Sequence, residues 1–382
     1  MKTRHVLPVI VAVLAIGVGA TAALLRTGAP ERTGQVNEAL VDRFDELADA
    51  CVKPGDPAGS TDCLNELVLA QVEPMGVPTV WAGVLRAVEQ HKDAFFDHCH
   101  RTAHKIGEYA GRTTGNVDRA LAFGSQDCQF GYFHGVIEGH AAVTPTLWEE
   151  LPGLCLKVTT DRASTAYAEC SHSLGHAVVT RTDNDVRAGL ERCKLIDTAD
   201  DRMACDTGIF MSWSNTLDRL LNSGEALEAK FTIAPPDRRW EFCPGLGDDI
   251  EAGACILFFA ETAQMTVPGI ESFRSWCAET FSGRTEVIKR CHMGVGRVIG
   301  GETGFRVVDG WGGVVRICGD ETYGEDAIGW CSETAAAAAS GFNPDPAMVE
   351  AACAAWKTHR LGAEECTRIE QIHRAVTGRV GS

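Results

Sequence analysis

The chain is short of several things, and each shortage closes off a class of answer. No Asn-Gly pair occurs and the alternating Val, Ile and Thr runs are brief, so the usual signals of β-hairpins are missing. Among 16 cysteines there is no Cys-x-x-Cys, which removes the ordinary zinc-ribbon and c-type haem signatures. Gly-x-Ser-x-Gly and His-Glu-x-x-His are absent too, leaving serine-hydrolase and zincin readings without support. Basic residues are outnumbered 52 to 35, a formal net charge of −17, and so acidic a protein is repelled by nucleic acid and by anionic membrane surfaces. The glycine-rich stretch GVGRVIGGETGFRVVDGWGG lacks the Gly-Lys-Ser/Thr ending of a phosphate loop and misses dinucleotide spacing by one residue. It reads as a loop that can rim a site.

What is present begins with an export signal. Lys2, Arg4 and His5 precede an uncharged run over residues 6 to 25. Twenty largely apolar residues span about 30 Å as a helix, the hydrocarbon thickness of a bilayer. The basic residues ahead of the run leave the remainder outside the cytoplasm. The run is longer than a usual signal core and no clean Ala-x-Ala site ends it. Residues 1 to 26 are therefore expected to be a retained transmembrane anchor rather than a removed signal peptide, whose cleavage would make the protein secreted. Residues 27 to 35 read as a tether and residues 36 to 382 as the exported domain. The membrane is expected to be met through the N-terminal helix only.

Sixteen cysteines in an exported chain point to disulfides, and the even number lets all of them pair. Seven near-neighbour couples recur: Cys51 with Cys63, Cys155 with Cys170, Cys193 with Cys205, Cys243 with Cys255, Cys277 with Cys291, Cys318 with Cys331, and Cys353 with Cys366. Their separations all lie between 12 and 15. Cys99 and Cys128 pair by elimination. The regularity implies a unit in which one helix ends near a cysteine, a loop turns back, and a second helix starts at the partner. Several second helices open with a cysteine and then a glycine (CQFG, CSHSLG, CDTG, CHMG), which lets helices approach closely. Helical patterns are plain at residues 36 to 50, 80 to 90, 185 to 193 and 335 to 339. The fold expected is all-α: disulfide-stapled helical hairpins coiled as an α-solenoid or closed into an α/α toroid.

Seven of the 12 histidines fall within the 79 residues from 98 to 176, where an even spread would place two or three. Three segments repeat a potential ligand at four-residue spacing: His100 and His104, His134 and Glu138, His172 and His176. Residues i and i+4 share a helix face, so each segment can aim two ligands at one ion. Glu108 extends the first stripe by a further turn, where it suits a second metal or a hydrogen bond to a ligand histidine. His98 and His140 are further candidates. Measured from the cysteines, the stripe is confined to the first three full units; the corresponding later places hold Asp206 and Phe210, Ile256 and Ala260, His292 and Gly296, Ser332 and Ala336. The metal-site half is thus expected at about 80 to 185 and the structural repeats at about 186 to 382.

Oxidised cysteines cannot ligate as thiolates, which leaves imidazole and carboxylate. The count exceeds what one tetrahedral ion needs, so either two metals or one metal with a catalytic base is implied. Glu138 is the base if the chemistry is hydrolytic, and a ligand if the site is carboxylate-rich. Six helical histidines with two His-x-x-x-His pairs resemble the ligand inventory of type-3 copper proteins, a resemblance of ligands alone over less than a quarter of the chain. Copper or iron with oxidative chemistry on a small-molecule or peptide substrate is the expectation, zinc-dependent hydrolysis the second, and a non-enzymatic scaffold binding a protein or peptide the third. Tyr109, Tyr132 and Tyr167 lie beside the cluster and read as filling of helix interfaces.

Overall fold

The computed structural model describes residues 36–95, 99–125, 127–128, 130–162, 164–266, 270–305, 310–342 and 345–377. The expected anchor and tether lie outside those residues, as does His98. Among the described residues the regular structure is helical throughout, with no strand. No described helix is long and apolar enough to cross a membrane.

The long helices are α1 (Glu38–Asp49), α2 (Pro57–Met75), α3 (Val77–Gln90), α4 (Cys99–Thr113), α5 (Gly131–Val143), α6 (Thr165–Arg181), α7 (Ala199–Ser223), α8 (Asp249–Thr266), α9 (Thr285–Phe305), α10 (Glu325–Phe342) and α11 (Gly362–Thr377). Local chemistry sets many of their ends. Asn37, Asp56, Ser164 and Thr198 each accept a hydrogen bond from a backbone N–H of the first turn they precede, satisfying donors that the helix itself leaves unpaired. Gly224, at φ +72°, closes α7 in the left-handed conformation that glycine adopts without strain. Inward faces follow the helical period: α1 buries Val41, Phe44 and Ala48.

All eight disulfides form between the cysteines paired by spacing and elimination, with Cα atoms 4.7 to 6.3 Å apart. Most join the end of a short helical segment to the long helix that follows. Cys193, for instance, ends helix Val186–Cys193 and is bonded to Cys205 in α7. Closing a loop of about 13 residues contributes on the order of 3 kcal/mol in the chain-entropy treatment. Eight such closures mark a protein built for an oxidising, extracytoplasmic setting.

From α4 onward each long helix packs against the next, α4 on α5 and so on to α10 on α11, while α1 to α3 form a layer of which α2 and α3 touch α4. Glycines set how close some of these pairs come. A Cβ on Gly131, Gly135 or Gly139 of α5 would overlap the carbonyl oxygen of His100, His104 or Glu108 on α4. Gly107 and Gly111 of α4 meet the carbonyls of Tyr132 and Val136 in the same way. The backbones of α4 and α5 are therefore in contact along three turns.

The same device corrects the reading of residues 294 to 313 as a loop. Residues 294 to 305 belong to α9, and residues 310 to 313 open helix Gly310–Cys318. Gly296 and Gly300 lie against the carbonyls of Cys331 and Ala335 on α10, whose buried Ala335, Ala336 and Ala339 thin the facing helix. These glycines shorten an interhelical distance and do not turn the chain.

Candidate metal centre

Three helices supply the site. α4 carries His100 and His104, α5 carries His134 and Glu138, and α6 carries His172 and His176. Because glycines remove every side chain that would separate α4 from α5, the ring centres of His100, His104 and His134 stand only 5.1 to 5.5 Å apart. The α6 rings complete the cluster, His172 at 5.7 Å and His176 at 5.8 Å from His134, and 4.9 Å from each other. His104 also stacks on His176 at 6.2 Å. His134 is the hub, in ring contact with the other four. The five imidazoles thus converge on one pocket, as their four-residue spacings imply.

Potential ligand atoms of His100, His104 and His134 all lie within 4.8 Å of one another, and so do those of His104, Glu138 and His176. A third grouping, Cys353, Cys366 and Glu370, is discounted because its sulfurs are bonded to each other.

Outer partners fix where the protons sit. His176 Nδ1 is 2.8 Å from a Glu138 carboxylate oxygen, which at neutral pH only accepts, so Nδ1 carries a proton and donates. His172 Nδ1 is 3.1 Å from Thr207 Oγ1. That hydroxyl donates its own proton to the Ala204 carbonyl at 2.7 Å, so His172 also donates from Nδ1 and keeps its lone pair on Nε2. The two Nε2 atoms are 3.1 Å apart. With His172 Nε2 as acceptor, that gap is closed either by a proton on His176 Nε2 or by a metal cation held between the two nitrogens.

His134 is arranged in reverse. Its Nε2 is 3.2 Å from Glu169 Oε2 and donates there, while its Nδ1 is buried without a hydrogen-bond partner. His100 donates from Nδ1 to the Cys128 carbonyl at 3.1 Å. An imidazole tied on one nitrogen to an outer acceptor, with the other turned to a common centre, is the arrangement of metal-ligating histidines.

Burial keeps protons off three of the rings. Burial, reinforced by His176 and other neighbouring imidazoles, holds His134 and His172 well below the ordinary histidine range. Burial likewise brings His104 down to about 3, with Glu138 only partly opposing it. Glu138 stays ionised: burial raises its pKa, but the His176 hydrogen bond and the nearby imidazoles His104 and His176 outweigh that and the net shift is downward. A nitrogen-rich, largely buried donor set can hold a transition-metal ion.

The other sequence candidates fall elsewhere. His140 sits at the far end of α5, where it meets Glu150 at 3.1 Å and Thr144 at 3.2 Å. Glu108 pairs with Arg112 at 2.6 Å and reaches the cluster only through its charge on Glu138. Tyr132 is fully buried and donates to the Ala120 carbonyl at 2.8 Å, the filling role expected of it. Two residues escape sequence reasoning, Glu169 and Thr207. Glu169 stands three residues before His172, a spacing that also shares a helix face and is signal enough to flag it. Thr207 lies on α7, and nothing in its local sequence marks it.

Compared with protein-family models, with curated proteins and with solved structures, the chain matches none.

Proposed function

We propose that this protein is an extracytoplasmic, membrane-tethered metalloprotein that binds copper or iron in the five-histidine pocket and carries out redox chemistry there on a small-molecule or peptide substrate. The observation that carries the reading is the convergence of five imidazoles on one centre, with the His172 and His176 Nε2 atoms 3.1 Å apart and both outer nitrogens committed to acceptors. Within this reading copper is favoured over iron, because imidazole donors without thiolate suit it and Cu(II) binds nitrogen sites most tightly among the divalent first-row ions. Glu138 accepts from His176 and stands 3.6 Å from His104 Nδ1, so it orients one ligand and lies beside a second. That role supersedes general base for this residue.

The supporting architecture is a helical-repeat array in which residues of about 80 to 185 form the metal half and those of about 186 to 382 a structural continuation, with residues 1 to 26 as the anchor. The alternation of clipped and long helices, each long helix seated on the next, supports that description.

A zinc-dependent hydrolase is the second reading, favoured by one observation. The Glu169 side chain is 37% exposed beside the buried His134, where a base acting on a metal-bound water is needed.

Metal analysis of the full chain, purified after export, tests the proposal. Near-stoichiometric copper or iron supports the redox reading, and zinc transfers support to hydrolysis. A metal-free protein whose thermal transition is unmoved by added copper, iron or zinc would discard both and favour a scaffold that binds a protein or peptide.

A further inference from the structure

We infer that the pocket is divided into two metal sites, one formed by His100, His104 and His134 and the other by His172 and His176, with His104 and Glu138 lying between them. The inference rests on the metal reading above and adds the number of ions and the assignment of their ligands.

The division follows from distances that a single ion cannot span. Metal–nitrogen bonds to zinc are about 2.0 to 2.1 Å, so two donors on one such ion are at most about 4.2 Å apart. The first three histidines form a compact grouping near that limit, their donor atoms within 4.8 Å of one another and their ring centres 5.1 to 5.5 Å apart. Three imidazoles around one tetrahedral ion place their ring centres about 5 Å apart, given that bond length and the size of the ring. This grouping does not take in His172 or His176. His134 has one nitrogen to offer, since its Nε2 is held by Glu169 and only its Nδ1 is buried without a partner.

The second pair is independently complete as a two-point clamp. His172 and His176 lie one turn apart on α6, and their Nε2 atoms are 3.1 Å apart. Two nitrogens on one tetrahedral ion with bonds of about 2.05 Å are separated by about 3.3 Å. Each ring is locked by an outer partner on a different helix, Glu138 on α5 and Thr207 on α7, so the clamp is held in place whether or not the first site is filled.

What joins the sites is the second grouping, in which His104, Glu138 and His176 place donor atoms within 4.8 Å of one another. Glu138 is 2.8 Å from His176 Nδ1 and 3.6 Å from His104 Nδ1. One carboxylate therefore holds a ligand of the second ion and lies beside a ligand of the first, and the occupied sites are near neighbours.

The full-length protein, stripped by a chelator, is titrated with Zn2+ and with Cu2+, each alone. Two equivalents per chain are expected. The cupric form should show an electron paramagnetic resonance signal broadened by coupling between the ions. His100→Gln and His172→Gln should each bind one equivalent and give an uncoupled spectrum. A single equivalent in the unsubstituted protein overturns the division while leaving the metal reading intact. Zero equivalents overturn both. Loss of all metal in His172→Gln, with circular dichroism and thermal transition unchanged, also overturns it. Should either variant fail to fold, the stoichiometry and coupling of the unsubstituted protein decide.

Discussion

The hairpins that carry the histidines and those that follow are built alike, yet they use the same positions in opposite ways. In both, the residue after the cysteine of a long helix is turned toward neighbouring helices. In the first half that residue is His100, facing other imidazoles. In the later half it is buried Asp206, His292 or Ser332, and at His292 and Ser332 the neighbourhood answers it from within. Ser332 hydrogen-bonds to Glu365. His292 accepts from the Arg274 guanidinium at 3.2 Å, and burial with that cation lowers its pKa to about 4. A histidine given a fixed guanidinium has its cation supplied by the chain. Histidines given acceptors on their outer sides turn their remaining nitrogens toward one another, where a cation from outside can be held. The difference between scaffold and site thus lies less in the histidine than in what stands behind it.

The largest test of this contrast is pH. In the metal-free protein, His104 titrates near 3 when folded against 6.5 when unfolded, and His134 and His172 shift the same way. Between those values the unfolded chain binds more protons, so stability falls as pH drops from 6.5 toward 3, by on the order of 5 kcal/mol for His104 alone. Asp206 behaves oppositely. Burial, opposed by Arg202 but aided by Glu251 and Asp248, raises it from 3.8 to about 8. There the folded chain holds the extra proton, so stability falls as pH rises from 3.8 through about 8, again by on the order of 5 kcal/mol. Denaturant titrations across pH should show an acid loss that bound metal does not remove, since metal keeps these imidazoles unprotonated while the unfolded chain still takes up protons, and an alkaline loss abolished by Asp206→Asn. Stability that does not fall between pH 6.5 and about 3 would break the contrast.

Next in size come the helix contacts. Gly135→Ala drives a Cβ into the His104 carbonyl and Gly300→Ala drives one into the Ala335 carbonyl. Each should destabilise by about 3 kcal/mol, the upper range for overpacking. Only Gly135→Ala should also release metal, as measured by equilibrium dialysis. Glu138→Gln keeps the shape but weakens the acceptor behind His104 and His176, and a tenfold to hundredfold loss of metal affinity is expected, with little change in the melting of the metal-free protein. The smallest effect is a control. Gly313 is helical with nothing within 4 Å of an added Cβ, so Gly313→Ala should stabilise by about 0.5 to 1 kcal/mol and leave metal binding alone.

Much of this architecture is legible in the amino-acid sequence. Helical periodicity locates the helices, cysteine spacing pairs seven of the disulfides and elimination the eighth, and the i,i+4 histidines point five rings to one place, because each of these signals is local. What escapes is relational. Glycines at every fourth position look alike whether they loosen a loop or admit a neighbouring backbone, so the stretch from 294 to 313 reads as a loop although residues 294 to 305 and 310 to 313 are helical. Thr207 becomes part of the site only because α7 packs on α6. The role of Glu138 depends on which nitrogens it faces, and no one-dimensional pattern encodes that. His140 shares the helix of His134 but six residues on, a spacing that rotates it about 120° away and leaves it to Glu150.

The disulfides have a consequence for biogenesis. Every cysteine is bonded to the one next to it in sequence, 51 to 63 and onward to 353 to 366, with no bond enclosing another cysteine. A chain threaded through a membrane from its N-terminus presents these partners in order, each couple before the next one emerges. An oxidase that simply joins each newly arrived thiol to its unpaired predecessor produces the native pattern at the first attempt, and the maturing protein has no use for a disulfide-shuffling helper.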